Sequence, residues 1–232
     1  GAVSIKAATG NLVVNGINAG TQQVELKSTA GSINDNADAG ADIIAGAVIL
    51  DASTGIGNTG NLELAGVDSI SATTSAGNVD ISNVADAATT ISQMNVTAGA
   101  GSVNFSQTGG QSFLVTTSTT TDGAVSISNA GGALAATSVT AQGAGRNVTL
   151  TTTGSGTISV DTITAADDQV TITSAGAIEE TGADGTADVV AATIDLNAAT
   201  GIGAAATIEI TATTVTADST AGNIDIDSFA TG

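Results

Sequence analysis

The chain repeats itself at two scales, and this repetition constrains the fold more than any other feature. The short unit is an apolar–polar–apolar triplet such as Val125-Ser126-Ile127. From Val79 onwards, successive triplets begin 24, 22, 23 and 22 residues apart. A period of about 20 to 50 residues is typical of stacked repeats, in which each unit buries its apolar edge only against its neighbours. Such triplets begin at Val3, Val24, Val79, Val103, Val125, Val148 and Val170.

The long unit is a superrepeat of about 145 residues. The sequence Thr54-Gly55-Ile56-Gly57 returns at residues 200–203 with an offset of 146, and Ala76-Gly77-Asn78 returns at 221–223 with an offset of 145. Val3 corresponds in the same way to Val148. We therefore predict one continuous rod made of a first copy, residues 1–147, and a partial second copy, residues 148–232.

The alternating triplets predict short strands, because a period of two is the pattern of a half-buried strand. Their flanks are rich in the turn residues Gly, Asn, Asp and Ser. The prediction is an all-β, right-handed parallel β-helix with about 22–23 residues per coil. At about 4.8 Å per coil, roughly ten coils would form a rod of about 50 Å. We expect the seven valines above to stack. The longer intervals Val48–Val79 and Ile194–Ile224 are expected to be wider coils or coils with a side excursion.

The composition indicates a thin aliphatic core. Pro, Cys, Trp, Tyr and His are absent, and only three Phe are present. Since aromatic side chains normally supply much of a core, the interior must be filled by Val, Ile, Leu and Ala. We expect Phe105, Phe113 and Phe229 to pack in the core or at coil edges.

The charge excludes several classes of partner. The net charge is −19, and the only basic residues are Lys6, Lys27 and Arg146. Nucleic-acid binding depends on neutralising phosphates, and anionic membranes would repel this chain, so neither is expected as a partner. No run of about 18 apolar residues is present, and membrane insertion is not expected. A start at Gly1 and an end in mid-pattern suggest a piece of a longer polypeptide.

The residues offer little for catalysis. Without His or Cys there is no imidazole base, thiolate or zinc-binding set, and a Ser nucleophile has no evident base. Some β-helix enzymes cleave polysaccharides with paired carboxylates, but this chain has no cluster of Arg, Lys or aromatic residues to hold a sugar. We predict a non-catalytic protein, and no catalytic, cofactor-binding or metal-binding residue is assigned.

Two acidic segments, residues 34–42 and 179–188, leave calcium open as a possible ligand. Hard cations take several oxygen ligands, and turns bring Asp and Asn side chains together. The other interpretation is a set of solvated turn carboxylates, since the spacing matches no EF-hand loop. The pair Asp167-Asp168 is a weaker candidate. The acidic and amide residues of the two segments are Asn34, Asp35, Asp38 and Asp42, and Glu179, Glu180, Asp184 and Asp188.

Ice binding is a further alternative, because some β-solenoids bind ice through flat ladders of Thr-x-Thr. The motifs at Thr149 and Thr171 have this form. The predicted outward positions are nevertheless mixed and partly charged, and no uniform Thr face is expected. These positions are Ser4, Glu25, Asp80, Asn104, Ser126, Thr149, Thr171 and Asp225.

The two Thr-Gly-Ile-Gly elements, with residues 71–81 and 221–226, resemble the filamentous-haemagglutinin-type repeats of very large bacterial surface proteins. The resemblance implies a right-handed parallel β-helix that is secreted and serves in adhesion, biofilm matrix or contact-dependent antagonism. In such repeats the Gly-Ile-Gly element usually precedes Pro-Leu, whereas this chain has no Pro.

These observations predict a structural spacer or stalk segment of an extracellular bacterial adhesin or biofilm-matrix fibre, located at the cell surface. The alternative is a filament subunit that stacks end to end. The expected partners are neighbouring repeats of the same polypeptide or like chains, with any host or cell-surface ligand bound by regions outside this segment.

Overall fold

The computed structural model describes residues 1–38 and 40–229. Ala39, within the acidic segment 34–42, and residues 230–232, at the end of the second copy, lie outside the described residues. The described residues form strands and turns without a helix, and every strand pairing is parallel. The chain is a β-solenoid of about ten coils with about 22 residues per coil. The predicted all-β parallel solenoid and its period are confirmed, and its right hand stays a prediction.

The solenoid contains 22 strands among the described residues. Most are three to eight residues long, and β17 and β19 are longer because each turns a corner of the coil. The strands are β1 (Val3–Ala7), β2 (Leu12–Val14), β3 (Ile17–Asn18), β4 (Gln23–Ser28), β5 (Ile33–Asp35), β6 (Ile43–Ile44), β7 (Ala47–Ala52), β8 (Leu62–Ala65), β9 (Ser69–Thr74), β10 (Val79–Val84), β11 (Thr89–Val96), β12 (Val103–Thr108), β13 (Phe113–Thr120), β14 (Val125–Ala130), β15 (Leu134–Ala141), β16 (Val148–Thr153), β17 (Ile158–Ser174), β18 (Ile178–Glu180), β19 (Val189–Ala198), β20 (Ile208–Thr211), β21 (Thr214–Ser219) and β22 (Ile226–Ser228).

The strands form two stacks that run along the solenoid. Stack A contains β1, β4, β7, β9, β11, β13, β15 and residues 158–165 of β17, followed by β18, β20, β22 and the start of β19. Stack B begins with β2, β3, β5, β6 and β8 and continues through β10, β12, β14, β16, the end of β17, the end of β19 and β21. Each coil therefore contributes one strand, or one divided strand, to each stack.

Like residues stack in ladders, but the seven valines do not form a single one. Val3 and Val24 pair in stack A, whereas Val79 pairs with Val103 in stack B. The prediction of one valine ladder is wrong because the same triplet pattern serves both stacks, and the sequence period does not reveal which stack a triplet joins. The stack B ladder consists of Leu12, Ile33, Ile56, Val79, Val103, Val125, Val148, Val170, Ile194 and Val215.

The expected wider coils are not present either. Val48 pairs with Ile70, and Ile194 pairs with Val215, so both coils have the ordinary length. The longer intervals to Val79 and Ile224 arose because these two residues lie in the opposite stack to Val48 and Ile194.

The two copies of the superrepeat are out of phase by half a coil. Val3 lies in stack A, but its counterpart Val148 lies in stack B, about six and a half coils further along. The divided strands follow the same rule. They occupy stack B in the first copy, as β5 and β6, and stack A in the second copy, as β18 and the start of β19.

The core is aliphatic along its length and forms one continuous cluster of buried residues. Phe105 and Phe113 are buried and meet edge to face, with ring centroids 5.3 Å apart at an angle of 78°. Both agree with the expected core packing. Phe229 is 36% exposed and lies outside the buried core, and its expected packing at a coil edge stays a prediction.

One interior ladder is polar in the middle of the solenoid. Asn83, Gln107 and Asn129 stack in register and continue the ladder of Ile17, Ile43 and Leu64. All three amides are buried. Asn129 Nδ2 donates to the carbonyl oxygens of Gln111 and Ala133, both at 2.9 Å, so this ladder closes the corner between the stacks.

The recurrence of Thr-Gly-Ile-Gly has a steric cause. Gly57 has a φ of 73°, and a Cβ at this position would lie 2.1 Å from the carbonyl oxygen of Asp80 in the next coil. Gly203 has a φ of 66° and would approach the carbonyl oxygen of Asp225 to the same distance. Only glycine fits such a left-handed turn at close approach.

Candidate functional site

Two groups of three carboxylates are the candidate sites of this protein. In cluster 1, formed by Asp35, Asp42 and Glu63, one oxygen of each residue lies within 4.8 Å of the others. Cluster 2, formed by Glu180, Asp188 and Glu209, meets the same limit. The members correspond at offsets of 145, 146 and 146 residues, so the superrepeat has reproduced the arrangement.

The coil geometry brings the carboxylates of cluster 1 together. Asp35 ends β5 and Asp42 immediately precedes β6 of the same coil, while Glu63 lies in β8 of the next coil. Asp42 and Glu63 are partners across the coils. The N–H of Asp42 donates to the Glu63 carbonyl at 2.8 Å, and the N–H of Glu63 donates to Asp42 Oδ2 at 2.9 Å.

Cluster 2 repeats this pairing closely. The N–H of Asp188 donates to the Glu209 carbonyl at 2.8 Å, and the N–H of Glu209 donates to Asp188 Oδ2 at 2.8 Å. In addition, Glu180 Oε1 accepts a hydrogen bond of 3.2 Å from the N–H of Asp184. In both clusters one carboxylate oxygen is therefore fixed by the backbone of the following coil.

The first member of each cluster occupies a position that is apolar in the preceding coil. Asp35 pairs with Val14, and Glu180 pairs with Val160, which is fully buried. Asp35 is 5% exposed and Glu180 is 8% exposed. The chain thus places a carboxylate where the preceding coil has a core valine.

The carboxylates are buried beyond what their hydrogen bonds satisfy. Asp42 and Asp188 are 2% and 3% exposed. Within residues 1–38 and 40–229, several of the oxygens have no hydrogen-bond partner although they are closed off from solvent. These are Asp35 Oδ1, Asp42 Oδ1, Glu63 Oε2, Glu180 Oε2 and Glu209 Oε2.

The basic side chains of the chain do not compensate this charge. Lys27 forms an ion pair with Asp51, and Arg146 forms one with Asp122 at 2.9 Å. These are the two ion pairs found in the described part of the chain, and neither includes a cluster residue. Each cluster therefore carries up to three negative charges without a protein cation beside it.

Burial and mutual repulsion perturb the ionisation of both clusters. Burial raises the pKa of Asp42 to about 7; the neighbouring carboxyl group of Glu63 and the charge of Asp35 add to the shift, and the hydrogen bond from the Glu63 N–H opposes it. Burial likewise raises the pKa of Asp188 to about 7, with Glu180 and Glu209 contributing. The pKa of Glu180 is raised, mainly by burial. Such a group can share protons among its carboxyls or bind a hard cation.

Some residues of the acidic segments do not join the clusters. Asp38 is exposed and caps a turn, accepting a hydrogen bond of 2.7 Å from the N–H of Gly40. Asp184 accepts hydrogen bonds from the hydroxyl and the N–H of Thr186, at 2.6 and 2.8 Å, which lower its pKa. Both behave as the solvated turn carboxylates of the second interpretation.

Three further candidates also lie apart from the carboxylate triads. Asn34 is buried beside cluster 1 in sequence, with an unpartnered Oδ1 among the described residues. Glu179 Oε2 accepts a hydrogen bond of 2.9 Å from the N–H of Ala205. Of the pair Asp167-Asp168, Asp168 accepts hydrogen bonds from the N–H groups of Gly145 and Arg146, at 2.7 and 2.8 Å.

Sequence reasoning missed Glu63 and Glu209. Each is the central residue of a strand triplet, Leu62-Glu63-Leu64 and Ile208-Glu209-Ile210, outside the acidic segments. The signal that could have found them is their own offset of 146 residues, which equals the offset from Asp42 to Asp188.

The predicted outward positions are divided between the stacks. Ser4 and Glu25 belong to stack A, whereas Asp80 begins a stack B ladder of mixed chemistry. Burial raises the pKa of Asp80. The ladder contains acidic and amide side chains among its hydroxyls and therefore offers no uniform Thr face. It consists of Asp80, Asn104, Ser126, Thr149, Thr171, Asp195 and Thr216.

Comparisons with known proteins assign no family. A scan against protein-family models gives no match, and searches of curated proteins and of solved structures give no significant match. The resemblance to filamentous-haemagglutinin-type repeats stays a prediction. Among the described residues there is no helix with the length and apolar character needed to cross a membrane.

Proposed function

We propose that this chain is a non-catalytic spacer or stalk segment of an extracellular bacterial adhesin or biofilm-matrix fibre. The observation that carries the proposal is the unbroken parallel register of the solenoid. Stack B continues through the boundary of the two copies, where Val125, Val148 and Val170 pair in sequence. A ladder of this kind gives an elongated body whose length is set by the number of coils, at about 4.8 Å each.

The interior supports a mechanical role. Each coil is joined to the next by backbone hydrogen bonds in both stacks and by buried aliphatic ladders. Every coil thus repeats the same contacts with its neighbours, and stability is distributed along the rod. The net charge of −19 would keep such rods from associating side by side.

The proposed lack of catalysis follows from the available chemistry. His and Cys are absent from the sequence, and the candidate clusters contain carboxylates alone. Nucleophilic catalysis by Ser needs an adjacent base, which these residues do not provide. The partners that we propose are neighbouring repeats, with adhesive contacts made by other regions of the polypeptide.

Surface location is tested with an antibody raised against the 232-residue chain. We expect the antibody to label intact, unpermeabilised cells of the source organism. An antibody against a cytosolic protein, used as the control, should not label the same cells. Labelling that requires permeabilisation would contradict the proposal.

The spacer role is tested by deleting whole coils. Removal of residues 103–147 joins Ser102 to Val148, which takes the place of Val103 above Val79. We expect a folded rod shortened by about 10 Å in small-angle X-ray scattering. The matched control removes residues 103–146, which joins Ser102 to Asn147 and places Asn147 at the buried position of Val103. Because this slip of one residue turns the apolar side chains of the following strand outward, we expect the control to fail to fold. Unfolding of both variants would contradict the modular rod.

Electron microscopy of the intact chain separates the spacer from the self-assembling filament. Single short rods would support the spacer role. Ordered fibres formed by this chain alone would contradict the spacer role and support the self-assembling filament.

A further inference from the structure

We propose that cluster 1 and cluster 2 each bind one calcium ion, which joins two consecutive coils. This inference does not depend on the spacer role, since it rests on the geometry of the two clusters. The ligands are the carboxylates of Asp35, Asp42 and Glu63 in the first site. Glu180, Asp188 and Glu209 are the ligands in the second.

The unpartnered oxygens are the first argument. Asp35 and Asp42 are each at least nine-tenths buried. The Oδ1 of each is closed off from solvent and has no hydrogen-bond partner among the described residues. Glu180 Oε2 is in the same condition in the second site. A buried acceptor without a donor is costly, and a buried group of carboxylates with no basic side chain beside it is stabilised by a cation.

The distances fit calcium. Calcium binds oxygen at about 2.3–2.6 Å, so two of its ligands can lie up to about 5 Å apart. The three oxygens of each cluster lie within 4.8 Å of one another. Magnesium requires a near-ideal octahedron and dehydrates reluctantly, so it usually keeps several waters and is held by one or two carboxylates, whereas each cluster offers three. Calcium also accepts irregular sets of six to eight oxygens, so water and backbone carbonyls can complete the coordination.

The duplication is an independent argument. Between the copies the first ligand changes from Asp35 to Glu180, yet a carboxylate is retained at the corresponding position of the superrepeat. The hydrogen bond that orients the second ligand is also retained, from Glu63 to Asp42 and from Glu209 to Asp188. Solvated turn carboxylates would require neither the retained carboxylate nor the retained hydrogen bond.

The ions would act between coils. Asp35 and Asp42 belong to one coil and Glu63 to the next, so one calcium ion joins two turns of the chain. A ligand that binds only the folded state raises its stability in proportion to the logarithm of its concentration. Saturation of one site should raise the melting temperature by about 5–10 °C when calcium is in about hundredfold excess over its Kd.

The experiment uses the full chain, freed of metal by a chelator and studied at about pH 7.5, above the raised pKa values of Asp42 and Asp188. Calcium is titrated to about 5 mM, above the 0.1–1 mM range of weak extracellular calcium modules. Isothermal titration calorimetry gives the stoichiometry, and thermal unfolding followed by circular dichroism gives the stability. We expect two calcium ions per chain and a rising melting temperature.

The variants assign the ions to the clusters. Glu63→Gln and Glu209→Gln should each reduce the stoichiometry from two to one, and the double variant should bind none. Both substitutions remove a crowded negative charge, so the variants should fold without metal. Asp38→Asn and Asp184→Asn are the matched controls, because these carboxylates lie in the same segments but outside the clusters, and both controls should bind two ions.

Four outcomes would overturn the proposal. The titration could give no heat and no change in melting temperature up to the highest calcium concentration, or the double variant could still bind two ions. Magnesium at the same concentration could have an equal effect, or the carboxyl groups could titrate with protons without responding to calcium.

Discussion

Asp42 accepts a hydrogen bond of 2.9 Å, through Oδ2, from the backbone N–H of Glu63 in the following coil. The bond fixes a buried carboxylate at the boundary between two coils, while its other oxygen is left without a partner among the described residues. The hydrogen bond from the Glu63 N–H favours the ionised form of Asp42, but burial outweighs it and raises the pKa of Asp42. In the absence of a cation the neutral form is therefore favoured, and this has a measurable effect on stability.

The metal-free chain should lose stability as the pH rises from about 4 to about 7. The pKa of Asp42 rises from 3.8 to about 7 in the folded chain, and that of Asp188 rises equally. In this window the folded state binds more protons than the unfolded state, so the free energy of unfolding falls with increasing pH and levels off above about 7. Urea unfolding with chelator present, at a series of pH values, measures this dependence.

Its control is the double variant Asp42→Asn/Asp188→Asn. An Asn Oδ1 can still accept the hydrogen bonds from the N–H groups of Glu63 and Glu209, but it does not titrate. We expect a smaller decline between pH 4 and 7 in the variant. An identical decline in both proteins would contradict the assigned groups.

Adjacent residues of β7 should differ greatly in their contribution to stability. Leu50 is 1% exposed in a stack A ladder, whereas Ile49 is 37% exposed. Leu50→Ala should lower the free energy of unfolding by about 2–5 kcal/mol, because it leaves a cavity. Ile49→Ala should cost about 1 kcal/mol or less. Chemical denaturation of both variants checks the difference, and equal losses would mean that the assigned faces of β7 are wrong.

The Thr-Gly-Ile-Gly turn should not tolerate alanine. At Gly57 the φ of 73° and the approach to the Asp80 carbonyl oxygen act together. Gly10 has nearly the same φ of 76° with open space around it. Gly10→Ala should cost about 1–2 kcal/mol from the backbone conformation alone, and Gly57→Ala should cost more because a backbone carbonyl must move. Thermal unfolding ranks the two, and a smaller loss at Gly57 would refute the close approach.

The interior amide ladder should depend on its hydrogen bonds. Asn129→Leu keeps an approximately similar volume but removes the Nδ2 donor from the carbonyl oxygens of Gln111 and Ala133, which keep only their bonds from Gln107 Nε2 and the Phe113 N–H. At about 0.5–1.5 kcal/mol for each lost hydrogen bond, the variant should be less stable by about 1–3 kcal/mol. Ser128→Ala, at the neighbouring and less buried position of β14, is the control and should change stability by less than about 1 kcal/mol. Equal stability of the two variants, measured by denaturation, would argue against a role of the ladder.

The solenoid and its period could be predicted from the sequence because every coil repeats the same alternating strand. The assignment of each strand to stack A or stack B could not be predicted. A triplet such as Val48-Ile49-Leu50 has the same local pattern as Val79-Asp80-Ile81, although the first lies in stack A and the second in stack B. Local alternation defines which side chains face inward, but only pairing between coils determines the stack.

The candidate site was predicted in part for a related reason. Asp35 and Asp42 stand close together in the sequence, and their acidic segment was recognised. Glu63 is 21 residues beyond Asp42, about one coil away, and resembles any polar residue in a strand triplet. Its proximity to Asp42 arises from the stacking of coils, as does that of Glu209 to Asp188.

The half-coil offset between the copies determines how a longer array would present its surface. Any patch encoded once per copy would point in opposite directions in successive copies and return to its original side only after about thirteen coils, roughly 62 Å along the axis. Tandem duplication would then yield a shaft on which the patch alternates between the two sides from copy to copy. Such a shaft would present the same patch on both flanks without a second kind of surface.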